Sequence, residues 1–306
     1  MTKEIKLAVL LTCHNRRDKT EKCLKSLRDA ITKYNGIKED KVEVEIFLTD
    51  DGCTDGTVEA AKDIFQSNVL HVIPGSGNLF WAGGMRHCWR EAQKRHNEWN
   101  YYLLLNDDVE LLGNLFDELF KGESYSKEHY EKEGVVSGIT CDPKDHTRQT
   151  YGGNVWKNKF LGTTKLLYPN GQPQLCDKTN ANILLVPKSV VDCIGIFYEG
   201  YAHGAADYDY SMLARRKGIP IILTAKFCGM CEYDHVDHAA IQAKLTKMTL
   251  KERKAYFNHP LHSNKDYLLF MRRNVPFRFP LVWVGRMLNL YFPNFYYKFG
   301  GGRYGK

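Results

Sequence analysis

The sequence predicts an α/β protein with a mainly parallel, Rossmann-like sheet flanked by helices. Short apolar runs alternate with helical patterns along the first part of the chain, and polar clusters directly follow several of those runs. Alternation of this kind is typical of βαβ units, in which both faces of the sheet are buried. Ligands of such sheets bind beyond the carboxyl ends of the strands, so we expect the functional site there.

The first predicted strand is residues 7–12 (LAVLLT), and the first helix is expected near residues 19–33. The later elements alternate in the same way. Strands are predicted at 42–48, 69–73, Tyr101–Leu105 and 182–187, and helices at 57–66 and 85–97. A short apolar run between turn signals is typical of a buried strand.

Composition and charge exclude several classes of protein. The 306 residues are 43% hydrophobic and 26% charged, which is ordinary for a globular protein and not for a disordered one. The net charge of +7 suits anionic partners, but the basic residues are scattered, so we expect no nucleic-acid function. Nine unevenly spaced cysteines and the absence of an opening secretory signal predict a cytoplasmic setting. No apolar stretch is long enough to predict a membrane-spanning helix.

Three loops that follow predicted strands carry the candidate chemistry. They are residues 12–16 (TCHNR), 49–57 (TDDGCTDGT) and 106–109 (NDDV). The carboxylates of Asp50 and Asp51 can accept hydrogen bonds from a base N–H or from ribose hydroxyls. The oxygen-rich pair Asn106 and Asp108 can chelate a hard divalent cation such as Mg²⁺ or Mn²⁺. Taken singly, each segment is also typical of an ordinary polar turn or helix cap.

In this order the loops resemble those of the family 2 glycosyltransferases, especially the rhamnosyltransferase-like branch. Residues 77–89 (GNLFWAGGMRHCW) resemble the donor segment of that family, and residues 195–218 (GIFYEGYAHGAADYDYSMLARRKG) resemble its acceptor-side motif. The resemblance covers about residues 6–238. It implies a GT-A-type fold and an inverting transfer of a sugar to an acceptor hydroxyl. It also implies a UDP-, dTDP- or GDP-linked donor, a glycan or lipid-linked acceptor, and a role in surface polysaccharide or glycan synthesis.

The resemblance also implies roles for single residues. The donor would be bound by Thr12, Asn15, Arg16, Asp50, Asp51, Asn78, Gly83, Arg86, Asn106 and Asp107. Mn²⁺ or Mg²⁺ would be bound by Asp108, Asn106 and His235. Asn106 replaces the first acid of the D-x-D pattern of the family with a neutral carboxamide, which still offers an oxygen ligand.

Asp207 stands where the catalytic base of the family lies, and His203 and Asp209 are assigned to the acceptor side. A carboxylate near the acceptor hydroxyl can take its proton as the oxygen attacks the anomeric carbon. Ala206 stands where the family usually has Glu. The alternative is that Asp207 and Asp209 only cap a helix.

The motifs predict a catalytic domain at residues 1–238, with a donor half at about 1–110 and an acceptor half at about 111–238. Residues 239–306 are predicted to form a helical, aromatic-rich extension. Within it, residues 272–298 mix aromatic and basic side chains, which suits a peripheral contact with the inner face of the cell membrane. The alternatives are a helix packed on the catalytic domain or a dimer contact.

Rival interpretations remain at this point. Cys228, Cys231, His235 and His238 form a C-x2-C-x3-H-x2-H pattern whose residue types suit zinc, although the spacing is tighter than in a zinc finger. A sugar-nucleotide pyrophosphorylase would need glycines after the first strand, which residues 12–16 lack. Phe80 at the third glycine position argues against an NAD enzyme. Asn106 and Ala206 keep open a sugar- or nucleotide-binding module without catalysis.

Overall fold

A ten-stranded sheet forms the centre of the protein. The structure is a computed structural model, and it describes residues 4–233 and 238–299. The strands are β1 (Glu4–Cys13), β2 (Lys41–Asp50), β3 (Leu70–Pro74), β4 (Tyr101–Leu105), β5 (Glu110–Leu111), β6 (Val135–Cys141), β7 (Gln149–Tyr151), β8 (Gly153–Asn158), β9 (Thr163–Leu166), β10 (Gln174–Leu175), β11 (Lys178–Thr179), β12 (Ile183–Pro187) and β13 (Ile221–Met230).

Helices cover the sheet and form the C-terminal part of the described chain. They are α1 (Arg17–Ile37), α2 (Thr57–Ile64), α3 (Phe80–Gln93), α4 (Leu115–Tyr130), α5 (Lys188–Ile194), α6 (Ala206–Arg216), α7 (His238–Lys247), α8 (Leu250–Asn258), α9 (Asn264–Asn274), α10 (Phe279–Tyr291) and α11 (Pro293–Lys298). No helix among the described residues is long and apolar enough to cross a membrane.

The strand order is β10-β13-β6-β12-β4-β1-β2-β3, with β5 beside β13 and β7 beside β6. Strands β1 to β4 are parallel, whereas β12 runs antiparallel to both of its neighbours. Strands β8, β9 and β11 form a separate three-stranded sheet. The predicted α/β class with a mainly parallel sheet is therefore confirmed.

The sheet is buried because apolar helix faces cover both of its sides. Along β1, residues 7–11 are fully inaccessible to solvent, as expected of a parallel strand covered on both faces. Helix α1 presents one buried stripe at helical spacing, formed by Thr20, Cys23, Leu24, Leu27, Ala30 and Tyr34. The carboxyl ends of β1, β2 and β4 are thereby held side by side at one edge.

Helix α3 begins at Phe80, five residues earlier than predicted. The reason lies in the residue after β2, because the Asp51 carboxylate accepts hydrogen bonds from the backbone N–H groups of Leu79 and Phe80, at 2.8 and 3.1 Å. These are N–H groups that a helix start leaves without a helical partner. A cap supplied by a distant segment leaves no signal in the local sequence.

The C-terminal extension shares a core with the sheet. Phe270 and Met271 of α9 and the following Val275 are buried in the same apolar cluster as residues of β4, β12 and α6. In α10, by contrast, Asn289 is the one buried residue. The extension therefore combines a helix that contributes to the core, α9, with one whose apolar side chains are partly or largely exposed, α10.

Candidate active site

The loop after β1 and the loop after β4 are joined by an arginine. Arg16 contacts an Asp107 oxygen at 3.1 Å and an Asp108 oxygen at 2.5 Å, and it is partly exposed. The parallel pairing of β1 with β4 places these loops at the same edge of the sheet. One guanidinium thus balances two adjacent carboxyl groups, which leaves the cluster with an excess of negative charge.

Asp107 is almost fully buried, and burial raises its pKa to about 6. The Arg16 guanidinium and the Thr20 hydroxyl, which donates to Asp107 at 3.1 Å, lower that pKa, while the Asp108 carboxylate raises it. Asp107 is therefore held inside the loop, and Asp108 is the more exposed of the two carboxyl groups.

Asp108 is also connected to the other half of the sheet. The Cys231 thiol contacts an Asp108 oxygen at 3.8 Å, and the Asn182 amide contacts the Cys231 sulfur at 3.7 Å. Asn182 further accepts a backbone hydrogen bond from Asn106 at 3.0 Å. The end of β4 therefore lies against the segment that leads into β12.

The Asn106 carboxamide is held by an indole. Trp81 of α3 donates its Nε1–H to the Asn106 side-chain oxygen at 2.8 Å. This oxygen keeps one acceptor position, since a carboxamide oxygen has two lone pairs. Asn106 is therefore positioned by α3, and Asp108 is the stronger candidate for binding a cation.

The two acids after β2 have different surroundings. Asp51 is 4% exposed, and its oxygens accept from three backbone N–H groups, those of Gly77, Leu79 and Phe80. Asp50 is partly exposed and accepts from the Cys53 backbone N–H at 2.7 Å. Asp51 thus fixes the loop that leads into α3, while Asp50 keeps part of its surface exposed.

The other predicted donor residues line the same edge. The exposed Asn15 has a positive φ of 50°, and its side-chain oxygen accepts from the Thr54 backbone N–H at 2.8 Å, tying the first two loops together. Thr12 lies against Gly84 of α3, where any added Cβ would overlap the threonine hydroxyl. Asn78 is exposed and Gly83 is partly exposed in the first turn of α3.

Arg86 faces the protein interior. Its guanidinium is buried and donates to the backbone oxygens of Tyr198 and Tyr201, at 3.2 and 2.8 Å. The structure therefore places Arg86 between α3 and the loop that precedes α6. Its described contacts position that loop.

Asp207 opens α6 and is 9% exposed. Its oxygens accept from the backbone N–H groups of Ala181, at 3.1 Å, and Tyr208, at 2.8 Å. Burial raises its pKa to about 6, and the two N–H donors and the nearby Lys178 ammonium lower it. Ala205, just before the helix, has a φ of 66°, a strained conformation for a residue with a Cβ.

A pocket of about 600 Å³ adjoins Asp207. Tyr208, which donates its backbone N–H to Asp207, lines it together with Lys178 and with Asn180, the chain neighbour of the second donor, Ala181. The Lys178 ammonium lies 5.2 Å from the ring centres of Tyr208 and Trp156, and burial lowers its pKa. Polar and aromatic side chains around a concave space of this size suit a sugar ring.

The residues predicted for the acceptor side, Asp209 and His203, contact the C-terminal extension. The buried Asp209 accepts from Arg273, at 3.0 Å, and from the Asn274 amide, at 2.6 Å. Asp266 of α9 accepts from the His203 backbone N–H at 2.9 Å. The buried Nδ1 of His203 has no hydrogen-bond partner among the described residues, and burial lowers the pKa of this imidazole.

Two groups of cysteines bear on metal binding. Cys13, Asp50 and Cys53 form the one group of three close potential ligands in the part of the chain that is described. Burial raises the pKa of both thiols, which disfavours the thiolates that a metal needs.

In the candidate zinc pattern, Cys228 donates to the Lys226 carbonyl whereas Cys231 contacts Asp108. His235 and the side chain of His238 lie outside the described residues, so the zinc and His235 hypotheses stay predictions.

The family model for glycosyl transferase family 2 matches residues 8–171, more than half of the chain. The chain belongs to this family. Its membership makes the protein a nucleotide-sugar glycosyltransferase. The matched range includes the loops at 12–16, 49–57 and 106–109 and ends before Asp207.

A solved structure agrees with the family 2 fold. The crystal structure of S. aureus TarS 1-349 in complex with UDP-GlcNAc is similar to this chain, with a TM-score of 0.51 and 13% identity, over 89% of this chain and 73% of that chain. At this identity the similarity shows the fold alone. A comparison with curated proteins finds no match.

Sequence reasoning missed two residues that the structure places beside predicted site residues. Lys178 lies on a two-residue strand with no motif around it, and only the fold brings it beside Asp207. Asp266 belongs to the extension, and only the packing of α9 brings it to the His203 loop. Trp81 had a signal, since it lies within the donor-like segment at 77–89.

Proposed function

We propose that the protein is an inverting glycosyltransferase that uses a divalent cation and transfers a sugar from a nucleoside diphosphate to a hydroxyl of a glycan or lipid-linked acceptor. In this proposal Asp207 is the general base and Asp108 binds the cation with Asn106 and His235. The product would belong to surface polysaccharide or glycan synthesis. The resemblance to the rhamnosyltransferase-like branch makes a dTDP-linked donor the first to test.

The observation that carries the proposal is the short connection between the two acidic centres. Asp108 contacts Cys231, and Cys231 contacts Asn182, which follows Ala181, a backbone donor to Asp207. Donor diphosphate and acceptor hydroxyl must meet within one site, and this connection supports such a meeting. Asp50, Asn15 and Arg16 would hold the nucleotide on the other side of Asp108.

The donor groups around Asp108 fit a hard divalent cation. Carboxylate and carboxamide oxygens are the ligands that Mg²⁺ and Mn²⁺ prefer, and Arg16 alone does not balance both Asp107 and Asp108. When bound, the cation supplies positive charge that stabilises the departing diphosphate. Arg16 can contribute to the same stabilisation, since guanidinium groups pair well with phosphate oxygens.

Asp207 has the properties that a base for a sugar hydroxyl needs. With a pKa of about 6 it is largely ionised at neutral pH, yet it is basic enough to take a proton efficiently. The backbone donors from Ala181 and Tyr208 fix its orientation. The adjoining pocket would hold the acceptor, with Tyr208 and neighbouring aromatic rings against the sugar face.

Membrane contact through residues 272–298 is also proposed. Large apolar side chains of this part of the chain are exposed, and they include Phe277, Leu281, Trp283, Val284, Tyr291, Phe292 and Phe295. Arg278, Arg286 and Lys298 accompany them, a composition that suits the interface of an anionic membrane. The protein would then act as a cytoplasmic enzyme bound peripherally to the inner face of the membrane.

The membrane proposal is tested by flotation with liposomes of phosphatidylglycerol and phosphatidylcholine. The parent chain is expected to float with the vesicles. The double variant Leu281→Ser, Trp283→Ser should remain in solution, because it lacks two of the apolar side chains that would enter the membrane. Both side chains are exposed, so the fold should be retained. Equal flotation of both proteins would contradict the proposal.

The decisive experiment for the function is thermal stabilisation by UDP, dTDP and GDP, each with and without Mn²⁺ or Mg²⁺. Ligand bound to the folded state raises its stability by about 2.7 kcal/mol at a concentration of 100 times Kd. We expect a metal-dependent shift with one nucleotide, lost in Asp108→Ala and kept in Asp207→Ala. Absence of any shift would overturn the proposal, and donor binding without transfer to any acceptor would favour a binding module.

A further inference from the structure

A second pocket, of about 370 Å³, lies between α6, the β8–β9 hairpin and the C-terminal extension. Its walls are both cationic and apolar. Lys159, Arg215 and Arg216 supply the cationic groups, and Trp156, Met212, Val275 and Phe277 supply the apolar surface. No residue of the three motif loops lines it.

The charges of this pocket favour an anion. Three cationic side chains line it against one carboxylate, that of Asp177, which already accepts from the Trp156 backbone N–H at 2.8 Å. Arg216 is engaged with the Asn274 side chain at 2.5 Å. Arg215 is partly exposed and has no carboxylate within 4.0 Å among the described residues. Its guanidinium is therefore available to a phosphate.

The apolar wall continues onto the exposed surface. The Phe277 ring packs against Phe160 at the tip of the β8–β9 hairpin, with ring centres 5.3 Å apart. Phe160, Leu161 and Phe277 are 79%, 62% and 54% exposed. The Arg278 guanidinium lies against Gly162 of the same tip. A hydrocarbon chain leaving the pocket would thus meet the apolar face that residues 277–299 present.

The pocket also lies next to the Asp207 pocket. Trp156 lines the second pocket, and its ring faces the Lys178 ammonium, which lines the first. Asp177, the chain neighbour of Lys178, belongs to the second pocket. A molecule with a sugar in the first pocket can therefore place the group that follows the sugar in the second.

We infer that this second pocket binds the phosphate or diphosphate of a hydrocarbon-linked acceptor. Arg215, Arg216 and Lys159 would bind the phosphate oxygens, while Phe277 and Phe160 would contact the first part of the hydrocarbon chain. The inference rests on the proposed function, and it specifies the acceptor as an amphiphile with an anionic link between sugar and lipid. Free phosphate could also bind the cationic groups of this pocket, but it has no hydrocarbon chain to contact Phe277 and Phe160.

The test uses the full chain and farnesyl diphosphate as the probe, with inorganic pyrophosphate and farnesol as the two halves of its chemistry. Calorimetry should give a Kd for farnesyl diphosphate at least about tenfold lower than for either half, because charge and apolar contact both contribute. Arg215→Gln should raise this Kd about tenfold. Lys217→Gln is the matched control, since Lys217 is exposed, directly follows the same helix and does not line the pocket.

A second variant separates the two contributions. Phe277→Ser should weaken the binding of farnesyl diphosphate and leave the binding of pyrophosphate unchanged. An equal Kd for farnesyl diphosphate and for pyrophosphate would contradict the inference that the pocket contacts a hydrocarbon chain. Unchanged farnesyl diphosphate binding in Arg215→Gln would place the probe elsewhere, such as in the donor site, and would also overturn the inference. If farnesyl diphosphate does not bind while nucleotides still give a metal-dependent thermal shift, this inference fails and the proposed function stands.

Discussion

Asp107 and Asp207 are both buried carboxyl groups with a pKa of about 6, yet their partners differ. Asp107 contacts the Arg16 guanidinium and the Thr20 hydroxyl, and the carboxylate of the next residue, Asp108, is close enough to raise its pKa. Asp207 accepts hydrogen bonds from two backbone N–H groups and lies near the Lys178 ammonium, beside residues that line a pocket. Burial alone therefore does not define a role.

The contrast teaches that the neighbouring charges decide what a buried acid can do. A pair of carboxyl groups beside one arginine attracts further positive charge, which suits a cation and a diphosphate. Asp207 is removed from water and has no second carboxylate among the groups that shift its pKa, so burial raises its affinity for a proton, which suits a base. The predictions below test whether the two centres are as different as their surroundings indicate.

Asp207→Asn is expected to have the largest effect on activity. The amide cannot take a proton, so kcat should fall by about 10²- to 10⁴-fold while nucleotide binding persists. The neutral amide removes the cost of a buried charge at neutral pH, but its NH2 group must face one of the two backbone N–H donors, so Tm should change little. A kcat near the parent value with nucleotide binding intact would contradict the role of base.

Asp108→Asn should have the second largest effect on activity. We expect a loss of several kcal/mol in transition-state stabilisation and a weaker dependence of kcat/KM on Mn²⁺ concentration. The reason is the loss of a charged ligand that Asn106 cannot replace. Titration of activity with Mn²⁺ provides the measurement. Glu110→Gln serves as a control, since Glu110 is exposed near the same loop. An unchanged metal dependence would argue against Asp108 as a ligand.

Lys178→Met should change the pH profile more than the maximal rate. Activity is expected to rise as pH increases through about 6, where Asp207 loses its proton. The Lys178 ammonium lowers the pKa of Asp207, so its removal should move this rise to higher pH. Profiles of kcat against pH for parent and variant measure the shift. Lys157→Met, an exposed position on the neighbouring β8, should leave the profile in place.

Asp209→Asn should have the smallest effect on chemistry. Asp209 pairs with Arg273 and Asn274, so its loss should lower the free energy of unfolding by about 1 to 3 kcal/mol. Urea unfolding measures this cost, and kcat of the folded variant should stay near the parent value. A loss of kcat comparable to that of Asp207→Asn would extend the catalytic centre to α6 as a whole.

The early part of the fold was predictable because its signals are local. Apolar runs with polar ends predicted β1, β2 and β4, and the order of the motifs predicted the family that the family model confirms. The start of α3 was predicted five residues late, because its cap comes from Asp51 of another segment. Contacts of this kind depend on strand order, which the local pattern does not contain.

The sequence by itself determined the α/β class, the family and the acids that carry the candidate chemistry, since each depends on residue type and spacing within one segment. Only the tertiary structure decided which of these acids are engaged by other protein groups and which keep surface available to a ligand. It placed Asp51 on backbone donors, Arg86 on carbonyl oxygens and Asp209 on Arg273, while it brought Lys178 beside Asp207. The availability of a buried side chain depends on partners distant in the chain, and those partners are set by packing.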